Sequence, residues 1–389
     1  MNRKVLGLLF VTLFIVMLGF SILFPIEAYY IKSFGADERS MGIIITLYSL
    51  MQFIFSPLWG RLSDRVGRKP VMMIGLAGYA VSMALFGAAT QLWHLFAARA
   101  LAGVLSSATL PTAMAVIADS TDEQNRTRGM GFLGAAFGLG VIFGPVLGGI
   151  LGVRALWLPY FVTAGLAAVN LLFVLLLLPE SLPPEKRQRR EAQPKSRWAA
   201  FDRAIGALYF LSFIVSFSLA GLEATFGFLA ANRLRLEPNE VAYIFVLMGI
   251  TGAVVQGGLI GRLKRRFGEV TLMQSGLLIS ALGFAIVAVA QQPWSAAVGL
   301  SVFAGGNGLI RPSNASLISR KARVGQGLAI GLLDSFDSMG RILGPIAGGL
   351  LFYVADYLPF ALGAALTLAS SIFFTVLYGG GREPGGQRA

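Results

Sequence analysis

Apolar and polar positions follow one another along this chain in long blocks, not residue by residue. Apolar runs of about twenty residues recur from end to end, each long enough to cross a hydrocarbon core of roughly 30 Å as a helix. Six are predicted in the first half, at 5–31, 41–60, 71–89, 92–118, 129–152 and 155–178. Six more follow, at 204–231, 239–261, 270–290, 293–319, 325–353 and 357–379. They lack the short alternating pattern of membrane barrel strands. The first run follows Arg3 and Lys4 and continues to Tyr30 without a small-residue cleavage site, so it reads as a span and not as a leader. The expected fold is an all-α membrane protein with twelve transmembrane helices.

Composition agrees. Hydrophobic residues make up 56% and charged residues 13% of the 389 residues, against about 25% charged in a soluble domain. Too little polar surface remains for a water-exposed fold, which excludes an ordinary soluble enzyme and a disordered chain. The absence of cysteine excludes disulfides and thiolate metal sites. His94, the one histidine, stands beside Trp93 at the start of span four and reads as an interface residue; it cannot build a zinc site alone.

A net charge of +13 would suggest nucleic acid in a soluble protein, but its placement decides otherwise. Of 32 Lys and Arg, 24 lie in the terminal segments and alternate loops that share one side, and five on the other. The positive-inside rule then puts both termini and the central loop in the cytoplasm, as a multi-pass protein of the inner (cytoplasmic) membrane. The basic side faces anionic lipid, and no nucleic-acid partner is expected.

The halves repeat at an offset of about 200 residues. Gly60-Arg61-Leu62 matches Gly261-Arg262-Leu263, Gly67 matches Gly268, and Pro111 matches Pro312. Gly140, Gly144, Pro145, Gly148 and Gly149 match Gly340, Gly344, Pro345, Gly348 and Gly349. Such symmetry marks a transporter of two pseudo-symmetric six-helix bundles with the substrate path between them. The units are 1–179, a Pro-rich basic linker at 180–203, and 204–389.

The segment Gly60 to Lys69 resembles the loop signature of the major facilitator superfamily, and Gly138 to Gly149 resembles the antiporter signature of its proton-coupled drug exporters. Arg99 with Gly103, Gly19 to Pro25, Leu222 to Phe226, and Ile310-Arg311-Pro312 extend the likeness over the whole chain. It is similar to the quinolone and multidrug antiporters of Gram-positive bacteria. The resemblance implies the major facilitator fold, a monomer, no cofactor, and export of lipophilic, cationic compounds driven by the proton gradient. One departure stands out: the acid that those antiporters carry just before the span-ten Arg-Pro is replaced by Asn307 and Gly308. Acids appear instead in span eleven, at Asp334 and Asp337.

The motifs also have a physical reading. Gly60 and Gly67 permit a tight reversal and close helix approach. Asp64 among Arg61, Arg65 and Arg68 can form a conformational latch on the basic side. The glycine ladders of spans five and eleven allow close helix approach, and Pro145 and Pro345 each kink a helix.

Charges inside the membrane are costly and mark function. They are Glu27, Arg99, Glu223, Arg311, Asp334, Asp337 and Arg341. Asp337 and Arg341, at i and i+4, can pair on one helix face, and Asp334 can join them or reach Arg311. The second half holds three acids against two bases, so one acid lacks a partner and can carry a proton. Glu223 is placed first for that role, then Asp334, then Glu27, with Asp337 also in the coupling group and Arg99 assisting release. Phe24, Gln52, Phe137, Phe226, Asn307 and Phe336, with Glu223 and Arg311, can build an apolar cavity for a lipophilic cation.

Gly129-Met130-Gly131-Phe132-Leu133-Gly134 fits the dinucleotide pattern but follows no strand, and no phosphate-binding Gly-Lys-Ser/Thr or Gly-x-Ser-x-Gly elbow exists. The partners implied are a small-molecule substrate, protons and membrane lipids. Two alternatives stay open: export of another solute such as a sugar, lipid or metallophore, and a membrane enzyme or channel.

Overall fold

The computed structural model describes residues 3–120, 123–182, 203–321 and 326–378. Most of the expected linker lies outside them, with Lys186, Arg187, Arg189, Arg190, Lys195 and Arg197, as do Arg323, Arg382 and Arg388. In the first half the helices are α1 (Arg3–Ser21), α2 (Glu27–Lys32), α3 (Glu38–Val66), α4 (Arg68–Gly87), α5 (Leu92–Ser106), α6 (Thr109–Ser120), α7 (Glu123–Arg154) and α8 (Leu158–Leu177). In the second they are α9 (Arg203–Asn232), α10 (Pro238–Ala253), α11 (Ile260–Ala288), α12 (Pro293–Lys321), α13 (Gln326–Val354) and α14 (Leu358–Tyr378). A π-helical stretch, Val254–Leu259, joins α10 to α11. Helix is what hydrocarbon demands, since each backbone N–H and C=O must be satisfied within its own segment.

These elements form the twelve expected spans, with breaks that periodicity did not reveal. Span one, read as continuous over 5–31, divides into α1 and α2. Pro25 has no N–H to give, and the chain crosses 22–26 in i→i+3 turns such as Phe24 N–H to Ser21 O. Span four, read as one run over 92–118, divides after Ser106 ahead of Pro111. Its twin Pro312 stays inside the continuous α12. The loop signature is helical on both sides of a single residue: α3 ends at Val66, Gly67 takes φ 122°, and α4 begins at Arg68. Gly268 repeats this inside α11 with φ 78°. Gly60 sits within α3 facing open space, so the reversal belongs to Gly67 alone.

Packing repeats too. In the first half α1 lies on α7 and α8, α4 on α5 and α8, and α3 on α5. In the second α9 lies on α13 and α14, α11 on α12 and α14, and α10 on α12. These are two pseudo-symmetric six-span bundles. They meet along two seams, α3 with α13 and α7 with α10.

The glycine ladders make both the bundles and the seams. Gly140 and Gly144 press on α1 and Gly148 on Ile22 and Pro25 just past it, and Gly340, Gly344 and Gly348 press on α9. Gly149 and Gly349 instead turn to the opposite half. A Cβ on Gly149 would stand 2.5 Å from that of Ala242, and one on Gly349 would run into the Glu38 carbonyl.

One end of the molecule carries Gly67, Gly268 and the basic segments. One apolar core, with Ile22, Met41, Phe86 and Tyr160 from one half and Phe226, Phe245, Phe303 and Phe360 from the other, joins the bundles toward the opposite end. Toward the basic end each half has a core of its own, around Leu9 and Met72 in the first and Tyr209 and Met273 in the second. Hydrogen bonds follow suit: Tyr29 Oη donates to Leu236 O at 2.6 Å, Lys32 Nζ to Asn232 at 2.5 Å, and Thr46 Oγ1 to Ile342 O at 2.7 Å. Among the described residues no ion pair links the halves at the basic end. The bundles are closed at one end and parted at the other.

Candidate functional site

Where the bundles part, a cavity of about 210 Å³ opens between them. α7 gives one wall with Phe137, Gly138, Val141 and Pro145; α10 and the π stretch give another with Phe245, Met248, Gly249, Gly252 and Gln256. Phe24, at the break between α1 and α2, packs on Phe245 at 5.6 Å between ring centroids. Polar groups come from three elements: Glu223 of α9, Gln256 of the π stretch, and Asn307 and Arg311 of α12. The Asn307 amide oxygen is buried without a hydrogen-bond partner among the described residues. Glu223 makes no ion pair among the described residues; the cationic charges that reach it are those of Arg341 and Arg311. An apolar pocket with few, converging polar groups is the usual form of a small-molecule site.

Five of the eight residues expected at the substrate site therefore line one cavity: Phe24, Phe137, Glu223, Asn307 and Arg311. Phe226 is fully buried in the shared core, edge-on to Phe245 at 5.6 Å. Phe336 stacks on Tyr209 at 5.7 Å, away from the lining. Gln52, on α3, is not part of the lining. Gln256 went unnoticed in the sequence, although a lone amide inside an apolar run was there to be seen.

The intramembrane charges pair differently from the sequence expectation. Glu27 opens α2 and meets the Arg99 guanidinium of α5 as an ion pair with side chains only 7% and 6% exposed. Arg99 also lies 5.1 Å from the Phe86 ring centroid and 5.7 Å from that of Tyr48. This site is sealed within the first bundle, away from the cavity. Asp337 pairs with Arg311 of α12 at 3.3 Å, not with Arg341 on its own helix, and accepts a hydrogen bond from Ser216 Oγ at 2.9 Å. Asp334 is exposed and makes no ion pair among the described residues.

The loop signature forms a compact group at the basic end. Arg68 Nη1 lies 2.6 Å from Asp64, its Nε 3.2 Å from Asp119, and it donates to Ser63 Oγ at 2.6 Å. Arg65 is exposed and takes no part in these pairs. The acid at the N-terminus of α4 is Glu180: it accepts from the Arg68 amide at 2.8 Å and the Lys69 amide at 3.2 Å. The second half has the counterpart. Glu269, with its side chain 2% exposed, holds Lys264 at 2.5 Å, Arg320 at 3.3 Å and the Ser316 hydroxyl at 2.5 Å.

A shallow hollow of about 700 Å³ lies at the opposite end beside Arg233, whose guanidinium is spent on both Asp356 oxygens and the Ala288 carbonyl. His94, near that end, lies 4.1 Å from Trp93 between ring centroids and accepts from the Thr90 amide at 3.2 Å.

Comparison with known proteins agrees with this architecture. The chain is 32% identical over 378 residues to multidrug resistance protein 1 of Bacillus subtilis, covering 96% of each chain. It is 34% identical over 339 residues to the class C tetracycline resistance protein of Escherichia coli, covering 84% of each. Its fold resembles the crystal structure of the human organic anion transporter MFSD10, with a TM-score of 0.71 and 26% identity over 96% of this chain and 99% of that one. The Major Facilitator Superfamily model matches residues 9–326 and again 208–388. With two six-span bundles, a cavity between them and that match over most of its length, the chain belongs to the major facilitator superfamily.

Proposed function

We propose that this transporter exports lipophilic cations in exchange for protons, by alternating access around the cavity between its bundles. One observation carries the reading: Glu223, a carboxylate with no ion-pair partner among the described residues, stands on the wall of an apolar cavity parted toward the basic end. A cation and a proton compete for such a carboxylate, and that competition is the exchange. Drug-resistance relatives covering the length of this chain support the substrate class.

The basic end is the cytoplasmic one by the positive-inside rule, with both termini there and 180–203 as the linker between bundles. The protein works as a monomer in the inner membrane, in contact with lipid and without a cofactor. In the present arrangement the site faces the cytoplasm. Rocking the bundles about the α3–α13 and α7–α10 seams turns it outward, with the Gly67–Arg68 group latching the cytoplasmic side when it closes. Asp334 is the second proton carrier, exposed on α13.

Everted vesicles with a cationic dye provide the test. Wild type accumulates the dye when the lumen is acid, and Glu223→Gln abolishes accumulation while Asp334→Asn lowers it. Accumulation that persists after the pH gradient is collapsed would overturn proton exchange. A second reading, an anionic solute, is favoured by Arg311 on the same wall and by the resemblance to an organic anion transporter.

A further inference from the structure

We propose that Asp337 is the counter-ion that offsets the charge of the Arg311 guanidinium on the cavity wall, and that this makes the site select cations over anions. The inference rests on the lipophilic-ion reading above. Among the described residues Arg311 is the one lining residue with a positive charge, and its side chain is 42% exposed. Left free it would repel a cation and attract an anion. Asp337 reaches it from the neighbouring helix α13, from behind the lining. One Asp337 oxygen takes Arg311 Nη2 at 3.3 Å, and the other is fixed by the Ser216 hydroxyl at 2.9 Å. Ser216 is itself only 3% exposed. The carboxylate is thus held in place from α9, while the arginine it holds faces the cargo. A single contact at 3.3 Å is at the long end of hydrogen-bond geometry, so the pair sets the local charge without locking Arg311 out of reach.

The surrounding charges sharpen the point. Around the cavity stand three carboxylates, Glu223, Asp334 and Asp337, and two guanidiniums, Arg311 and Arg341. Neutralising Asp334 or Asp337 changes the total charge equally. Only the loss of Asp337 removes a direct ion pair of Arg311; Glu223 and Asp334 reach it through longer-range charge alone. Position 337 is also foreign to the duplicated scaffold: its counterpart in the first half is Phe137, with Phe137 on the lining and Asp337 behind it.

The experiment uses two ions of matched shape and opposite charge, tetraphenylphosphonium and tetraphenylborate. Their binding to the purified full-length transporter in detergent is measured by equilibrium dialysis, with empty micelles subtracted. Asp337→Asn is expected to shift the ratio of the two dissociation constants toward the borate by roughly tenfold or more. Asp334→Asn is expected to shift it less than about threefold. Asp337→Glu keeps the wild-type ratio, and adding Arg311→Gln to Asp337→Asn cancels the shift, which separates selectivity from mere misfolding. Equal shifts in Asp334→Asn and Asp337→Asn, an unchanged ratio in Asp337→Asn, or loss of all binding without recovery in the double variant each overturn the assignment. Wild type that binds neither ion overturns the lipophilic-ion reading together with it. Wild type that binds the phosphonium while Asp337→Asn leaves the ratio alone overturns only the role of Asp337.

Discussion

The first bundle keeps its intramembrane charges sealed; the second leaves its charges open. Glu27 and Arg99 are buried against each other, with aromatic rings around the guanidinium. Glu223 and Arg311 face a cavity, and Asp334 is exposed. Yet the frames that hold them are copies. Offsets of 200 or 201 residues relate Gly67 to Gly268, Gly149 to Gly349, and Gly35 to Arg235. The same offsets take Glu27 to Gly227, Arg99 to Leu300, Glu223 to Leu23 and Arg311 to Leu110. Helix packing was duplicated, and the charges were not. A scaffold needs the same close approaches in both halves, whereas one asymmetric site needs its ionisable groups on one side only.

Breaking the sealed pair is expected to have the largest effect on stability. Arg99→Leu strands a buried carboxylate and should cost about 3–5 kcal/mol, seen as early thermal unfolding of the purified protein. Pairing it with Glu27→Leu should recover most of that loss. Glu223→Gln, by contrast, should leave thermal stability nearly unchanged while dye export fails. A large loss of stability there would erase the distinction between sealed and open charges.

At the basic end the comparison takes another form. Arg68 pairs with Asp119, and 201 positions later Glu269 pairs with Arg320: the same bridge with its charges exchanged. Glu269→Arg should destabilise the second bundle by roughly 3 kcal/mol, and Arg320→Glu in the same chain should restore part of it. Thermal unfolding of single and double variants measures the coupling, and strictly additive losses would deny that the pair acts as a unit.

The seams give the next effect. Gly149→Val and Gly349→Val crowd α10 and α3 respectively, with an overpacking cost of about 1–3 kcal/mol. Both should part the closed end. The chain has no cysteine, so a Thr46→Cys, Ile342→Cys pair reports closure directly, and its cross-linking yield should fall in either variant. If only one glycine matters, the seams are not equivalent.

The smallest effect concerns the loops at that end. Gly35 takes φ 72° and its counterpart Arg235 φ 53°, a conformation that costs a side chain roughly 1–2 kcal/mol. Arg235→Gly should stabilise by up to about 1 kcal/mol, visible as a small rise in Tm.

Much of the fold was legible because hydrocarbon allows few solutions. Twenty apolar residues in water-free surroundings form a helix, and repeated glycines locate the contacts. Five of the expected substrate-site residues share the cavity because polar and aromatic residues facing a path stand out in an apolar run. Phe226 and Phe336 did not belong there, since with 29 Phe in the chain the residue type alone does not tell a core ring from a lining ring. Glu180 and Ser216 went unread for the opposite reason. Each is an ordinary residue whose role comes from a helix end or a carboxylate distant in sequence.

Sequence alone therefore settled what depends on one segment at a time: the spans, the duplication and the turn at Gly67. Tertiary structure decided which charges meet. An i,i+4 spacing offered Arg341 to Asp337, but helix rotation and packing gave it Arg311 and Ser216. Pro25 ended one helix so that the next could start at Glu27 and carry it to Arg99. Periodicity describes one helix; an ion pair between helices depends on how two of them are turned, and only packing sets that.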